Sequence, residues 1–211
     1  MPWNQSVTTY FALNAANDTS PSGLTDIITG QPIYIPDLDL GVYFDLTTAE
    51  AAQLSQTSVR TLNSGRYRRI KVDSGATAAN VKTGTIGIMP SLAVVGNTTP
   101  ECNVVTSYDQ GIGNATTVRP VVFLNAITPG NYGFVQELGI ATVLGKTGLT
   151  NATPKIGDVI ISSTSGLVDD PTQTTQPTYA QMYAILGVAI DLPLSNALFR
   201  IMLDSVPVLQ D

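Results

Sequence analysis

The side chains through which this chain could do acid–base chemistry are carboxylates, and two pairs lie close in sequence, Asp37 with Asp39 and Asp169 with Asp170. Paired carboxyls can hydrolyse glycosidic bonds, one as acid and the other as base or nucleophile, and clustered carboxylates can bind calcium. Neither pair has the glycine and downstream glutamate of a calcium loop, and nothing around them signals an unusual environment, so solvated loop acids are expected. Histidine is absent from all 211 residues, which removes Ser-His-Asp and Cys-His catalysis, His-ligated zinc and the commonest base near neutral pH. Gly145-Lys146-Thr147 ends like a phosphate-binding loop, but the glycine such a loop needs falls on Ile140, and Gly148 and Pro154 follow where a helix should begin. Gly111-Ile112-Gly113-Asn114-Ala115-Thr116 starts like a dinucleotide fingerprint, lacks its third glycine and precedes a strand, which makes it a tight turn. No catalytic, cofactor or metal site is expected, and the chain reads as a non-enzyme.

Any such residue must be held by a folded core, and the composition supplies one. Hydrophobic residues make up 43% of the chain, enough to bury a core without staples, while charged residues reach only 12%. Thr, Ser, Asn and Gln must therefore provide much of the polar surface, which suits strands and turns. The net charge of −6 argues against a surface that tracks phosphates, so nucleic acid is not an expected partner. Cys102 stands alone, which excludes an intrachain disulfide and a cysteine metal cluster. The N-terminus lacks the basic and apolar regions of a secretory signal, and the longest apolar run, 184–190, is far too short to span a bilayer, so no membrane partner is expected. The Asn-x-Thr sequons at Asn17, Asn97, Asn114 and Asn151 then read as turn-forming loop residues.

The elements expected are those of an all-β protein, mainly an antiparallel β-barrel or sandwich, with one short α-helix near 48–58 and an extended N-terminal arm over 1–30. The arm combines a cluster of turn formers at 14–23 with Trp3, Val7, Tyr10, Phe11 and Leu13, which are too apolar for a free tail. The helix begins at a Thr-x-x-Glu capping box, Thr47-Thr48-Ala49-Glu50, with Leu46 placed to staple against Ala51. Strands are expected over 33–35, 67–72, 85–89, 104–108, 118–124, 132–138, 141–144, 159–162, 186–190 and 199–203, all inside a β-rich domain covering 31–211. In the second of these, Ile70 and Val72 share one face and Arg69 and Lys71 the other, a half-buried pattern. Gly65 to Lys71 weakly echoes Gly130 to Gln136; two small modules, about 31–96 and 103–204, would produce that echo, and shared turn chemistry would produce it more simply.

Charge is unevenly spread. Arg60, Arg66, Arg68, Arg69, Lys71 and Lys82 crowd into one short stretch of an otherwise acidic chain. Such a stretch is either an ordinary solvated strand face or a docking strip for an acidic protein surface, where complementary charge aligns partners.

Three segments resemble the capsid decoration, or cement, proteins of tailed bacteriophages: 119–137, with Arg119-Pro120-Val121-Val122-Phe123 and Pro129-Gly130-Asn131-Tyr132-Gly133-Phe134; Ile156-Gly157-Asp158-Val159-Ile160; and Leu186-Gly187-Val188-Ala189 with Leu198-Phe199-Arg200-Ile201-Met202-Leu203. Segment 65–89 is similar to phage proteins of the same kind. The likeness spans about 65–204 and is a cadence of glycine and apolar residues without a catalytic motif. It implies a β-rich protein, made in the host bacterial cytoplasm, that binds the outside of the mature capsid, commonly as a trimer or other homo-oligomer, and clamps the major capsid protein against internal pressure. On that reading the contact residues are Trp3, Tyr10 and Phe11 in the arm and Arg66, Arg68, Arg69 and Lys71 in the basic stretch. A phage tail, baseplate or receptor-binding component shares the same composition, and a carboxylate-based glycan-cleaving virion enzyme is the more distant alternative.

Overall fold

A computed structural model describes residues 24–25, 32–33, 43–57, 62–90, 104–107, 118–171 and 185–204. Strands β1 (Leu24–Thr25) and β2 (Pro32–Ile33) form a small antiparallel ladder. The remaining strands, β3 (Tyr43–Leu46), β4 (Gly65–Val72), β5 (Ile86–Pro90), β6 (Val104–Ser107), β7 (Val118–Phe123), β8 (Tyr132–Leu144), β9 (Val159–Ser162), β10 (Val168–Asp169), β11 (Ile185–Ala189) and β12 (Leu198–Leu203), join one ten-stranded sheet. The all-β class expected from the sequence is thus present.

Five of those strands pair in a ring: β4 with β6, β6 with β5, β5 with β7, β7 with β8, and β8 back to β4. All these pairings are antiparallel except β4 with β6. The sheet as a whole is not a closed barrel, because β8 continues past the ring into an open wing in which β12, β11, β9 and β10 follow in order. Inside the ring lie Ile70, Val72, Val105, Val121, Phe123 and Val135, all buried. Gly87 belongs to this interior for want of space: a Cβ there would come within 2.6 Å of Val105 and 2.7 Å of Phe123. The wing folds over the opposite face of β5 and β7, so that Ile86 and Val122 share a second core with Ala141, Val143, Ile160, Leu186, Phe199, Ile201 and Leu203.

β8 serves both cores because its 13 residues run unbroken from ring to wing. The sequence predicts two strands there, split at Gly139. Gly139 instead stays within the ladder at φ +92°, opposite Gly65, and a Cβ on it would lie 2.4 Å from the Ser64 carbonyl oxygen. Two glycines facing each other let the chains approach at the point where β8 changes partners.

The helix α1 (Thr48–Thr57) forms where its capping box predicts. The Thr47 amide donates to Glu50 Oε2 at 2.8 Å and the Glu50 amide donates to Thr47 Oγ1 at 3.3 Å, while Leu46 and Ala51 are both buried as a staple requires. These bonds from Thr47 hold the Glu50 carboxyl below its ordinary pKa. Strands β1, β3 and β10 are additions to the sequence-based expectation.

Candidate functional site

Strand β3 lies at one end of the sheet order and pairs with β4 so that Tyr43 is opposite Arg68 and Asp45 opposite Arg66. Directly opposed residues of an antiparallel pair project from the same face, so these four side chains meet. Arg66 donates from Nε to Asp45 Oδ1 at 2.7 Å and from Nη2 to Oδ2 at 2.9 Å, a bidentate fork. That contact lowers the Asp45 pKa and raises that of Arg66. Arg68 donates from both Nε and Nη2 to Glu137, which β8 contributes and which is 2% exposed. The two guanidinium carbons stand 4.6 and 5.6 Å from the centroid of the Tyr43 ring. The ring keeps 53% of its surface exposed. The result is an aromatic anchor held by two cations whose own positions are fixed by carboxylates.

Arg69 and Lys71 project from the other face of β4, as their alternation predicts. Arg69 lies opposite Phe134 and Lys71 opposite Tyr132, and the Arg69 guanidinium is 5.8 Å from the Phe134 ring and 5.9 Å from the Tyr132 ring. Arg69 has no exposed surface, in place of the exposed strand face expected for it. Arg stacks on aromatic rings and is weakly hydrated, which lets this cation leave water where a lysine would resist. The four cations 66, 68, 69 and 71 are therefore divided between two faces. Trp3, Tyr10, Phe11 and Arg60 lie outside the described residues.

A second surface covers the outer face of the wing. Val159 pairs with Val188, Val188 with Met202, and Met202 with Ile140, so one apolar row crosses β9, β11, β12 and β8. At the usual strand spacing the row is about 14 Å wide. Val188 and Met202 are each 44% exposed, and Ile185 and Leu198 beside them are exposed to a similar degree. Arg200, on the same face, is clamped by Asp191, its Nε donating to Oδ2 and its Nη2 to Oδ1, both at 2.8 Å.

The acid pair 169–170 is buried, which corrects the expectation of solvated loop acids. Asp169 accepts from the Thr150 amide at 2.9 Å and Thr150 Oγ1 at 2.6 Å, and its Oδ2 is 2.7 Å from Lys146 Nζ. Asp170 has no exposed surface and accepts from Asn151 Nδ2 at 3.2 Å. A loop distant in sequence supplies these donors, which is why local sequence carried no sign of the burial. Asp37 and Asp39 lie outside the described residues. Among the described residues no cluster of three or more metal-ligating side chains occurs, and no helix is long and apolar enough to cross a membrane.

No protein-family model matches the chain, and no curated protein matches it in sequence. A solved structure is partly similar. The head fiber gp8.5 N base in bacteriophage phi29 superposes with a TM-score of 0.39 at 13% identity, over 67% of this chain and 96% of that one. At that level the likeness establishes neither a common fold nor a common role.

Sequence reasoning singled out Arg66 and Arg68 but missed Tyr43, Asp45 and Glu137, the side chains that fix them. Glu137 carried a signal, the lone charged residue in a largely apolar strand segment, which calls for a buried partner.

Proposed function

We propose that the protein is a structural virion component that binds the outer surface of a mature phage capsid as a homo-oligomer and stabilises the lattice of major capsid subunits, without catalysis. The observation that carries this reading is that one sheet presents two chemically different exposed surfaces, the clamped Tyr43 on an edge strand and the apolar row Val159–Val188–Met202–Ile140 on the wing. A clamp needs two.

The apolar row suits a second copy of the same chain, because interfaces between identical subunits are the more apolar class and depleted in charge at their centre. The Tyr43 surface suits the capsid protein. Tyrosine and arginine are the residue types that carry most binding energy at protein interfaces, and a ring already held in place loses little freedom on docking. The sequence resemblance over 65–204 supplies the viral setting and favours a trimer at a symmetry axis. Binding that selects the mature lattice stabilises it by mass action, and many copies add avidity that one weak site lacks.

The test is co-sedimentation of the purified protein with expanded capsids that lack it. Saturation at a fixed ratio per capsid subunit supports decoration, whereas no shell binding removes it. Saturation at only a few copies per particle would favour the second reading, a tail, baseplate or receptor-binding component. Glycan cleavage by Asp169 and Asp170 has less support, since both carboxyls are buried and bonded within the fold.

A further inference from the structure

Asp158 directly precedes β9 and Asp170 directly follows β10, and the antiparallel pairing of these strands sets the two acids at the same end. One side-chain amide joins them: Asn151 Nδ2 lies 3.2 Å from Asp158 Oδ2 and 3.2 Å from Asp170 Oδ2. The orientation of that amide is fixed, because Asn151 Oδ1 accepts from the Thr153 amide at 3.0 Å. Asp158 Oδ2 also receives the Lys155 amide at 2.7 Å. Asp170 Oδ1 is buried and has no hydrogen-bond partner, in a residue with no exposed surface.

Two charged carboxylates in such a place are costly, since Asp170 has left water, Asp158 is half-buried and the two repel one another. A buried acceptor without a donor adds a further penalty. A single proton between the two acids removes one charge and provides the hydrogen bond their geometry lacks. We propose that Asp158 and Asp170 share one proton, and that the shared proton latches the 145–158 loop against β9 and β10.

The surrounding charges reinforce this. Lys146 Nζ and Thr150 hold the Asp169 carboxylate beside Asp170, where its charge acts on Asp170, and Lys146 is committed to that contact. Lys155 contributes its backbone amide to the pair, and its residue is exposed. Burial first, and Asp158 and Asp169 after it, push the Asp170 carboxyl up to about 6, against which the Asn151 bond acts in the opposite direction. With the folded value raised above the ordinary 3.8, the folded protein holds the extra proton between those two values. The latch therefore stabilises fully below the lower value, weakens as pH rises and is lost above about 6. The amides that should loosen with it are Asn151, which donates to the Asp170 carbonyl, and Gly157, which donates to the Ala189 carbonyl beside the apolar row.

The test compares melting temperature at pH 4.5 and pH 7.5 for the full chain, Asp170→Asn and Asp158→Asn. The asparagine amide replaces the proton, so each variant should melt roughly 5 °C above wild type at pH 7.5, with a much smaller gap at pH 4.5. At pH 7.5 the variants should also slow hydrogen exchange at the Asn151 and Gly157 amides. Carboxyl NMR gives a reading that does not depend on the variants: the Asp170 carboxyl should titrate near pH 6. Both acids titrating below pH 4.5, or variants that keep the wild-type pH slope, would overturn the shared proton. So would a rise in wild-type melting temperature with calcium chloride at pH 7.5 that Asp170→Asn abolishes, because the pair would then be a cation site.

Discussion

Val188 and Met202 stand directly opposite each other on β11 and β12, each 44% exposed, at the middle of an apolar row four strands wide. Strands with one solvated face usually carry polar residues there, which is why the proposed contact between copies is placed on this pair. Replacing Val188 by Asp should abolish self-association in sedimentation velocity, since a charge at the centre of an apolar interface stays unpaired in both copies. The same change should shift the stability of the chain by less than about 1 kcal/mol, as for surface sites generally. An unchanged oligomer would move the contact off the wing.

Tyr43→Ala should weaken attachment to expanded capsids by at least about tenfold, a loss of roughly 1.4 kcal/mol or more, typical of a central aromatic anchor. Its melting temperature should stay close to wild type because the ring is exposed. Asp45→Ala separates two explanations: it frees Arg66 without removing the ring, so a milder loss of binding assigns the effect to the ring itself.

Glu137 is buried with Arg68, and the pair differs in consequence from Arg66 with Asp45, where Asp45 is exposed. Glu137→Gln leaves a partly buried guanidinium without its counter-charge and should cost about 3 kcal/mol in denaturant unfolding. Asp45→Asn should cost less than about 1 kcal/mol, the range of exposed pairs. Equal costs would show that burial does not govern these bridges.

Gly139→Ala tests the switch of β8 between ring and wing. The added methyl meets backbone, the Ser64 carbonyl oxygen and Gly65 Cα, at distances that real Cβ atoms do not adopt, and a positive φ strains it further. A loss of roughly 2 kcal/mol or more is expected. Gly130→Ala is the control, since φ there is also positive while nothing lies within 4 Å of an added Cβ, so it should cost less.

What was legible in the sequence was local. The capping box at Thr47 and Glu50 fixed the start of the helix because all its partners lie within four residues, and the alternation of Phe199, Ile201 and Leu203 showed their shared face. What was not legible depends on distant segments. The ring requires β4 to pair with β6 and β8, and no local pattern encodes a parallel neighbour. Arg69 looked solvated until Phe134 and Tyr132 came across from β8, and Asp170 until the loop of Asn151 closed over it. Gly139 carried the signal of a breaker, yet Gly65 opposite it lets the strand continue. Tyr43 stands on a strand of four residues, too short to show a period.

The most direct measurement is the heat resistance of expanded capsids lacking the protein, titrated with the purified wild-type chain and with Tyr43→Ala. If the protein clamps the lattice, wild type raises the temperature of shell disruption until the outer sites are filled, and Tyr43→Ala needs a much higher concentration to do so. A disruption temperature that does not move at saturating occupancy would contradict a stabilising role.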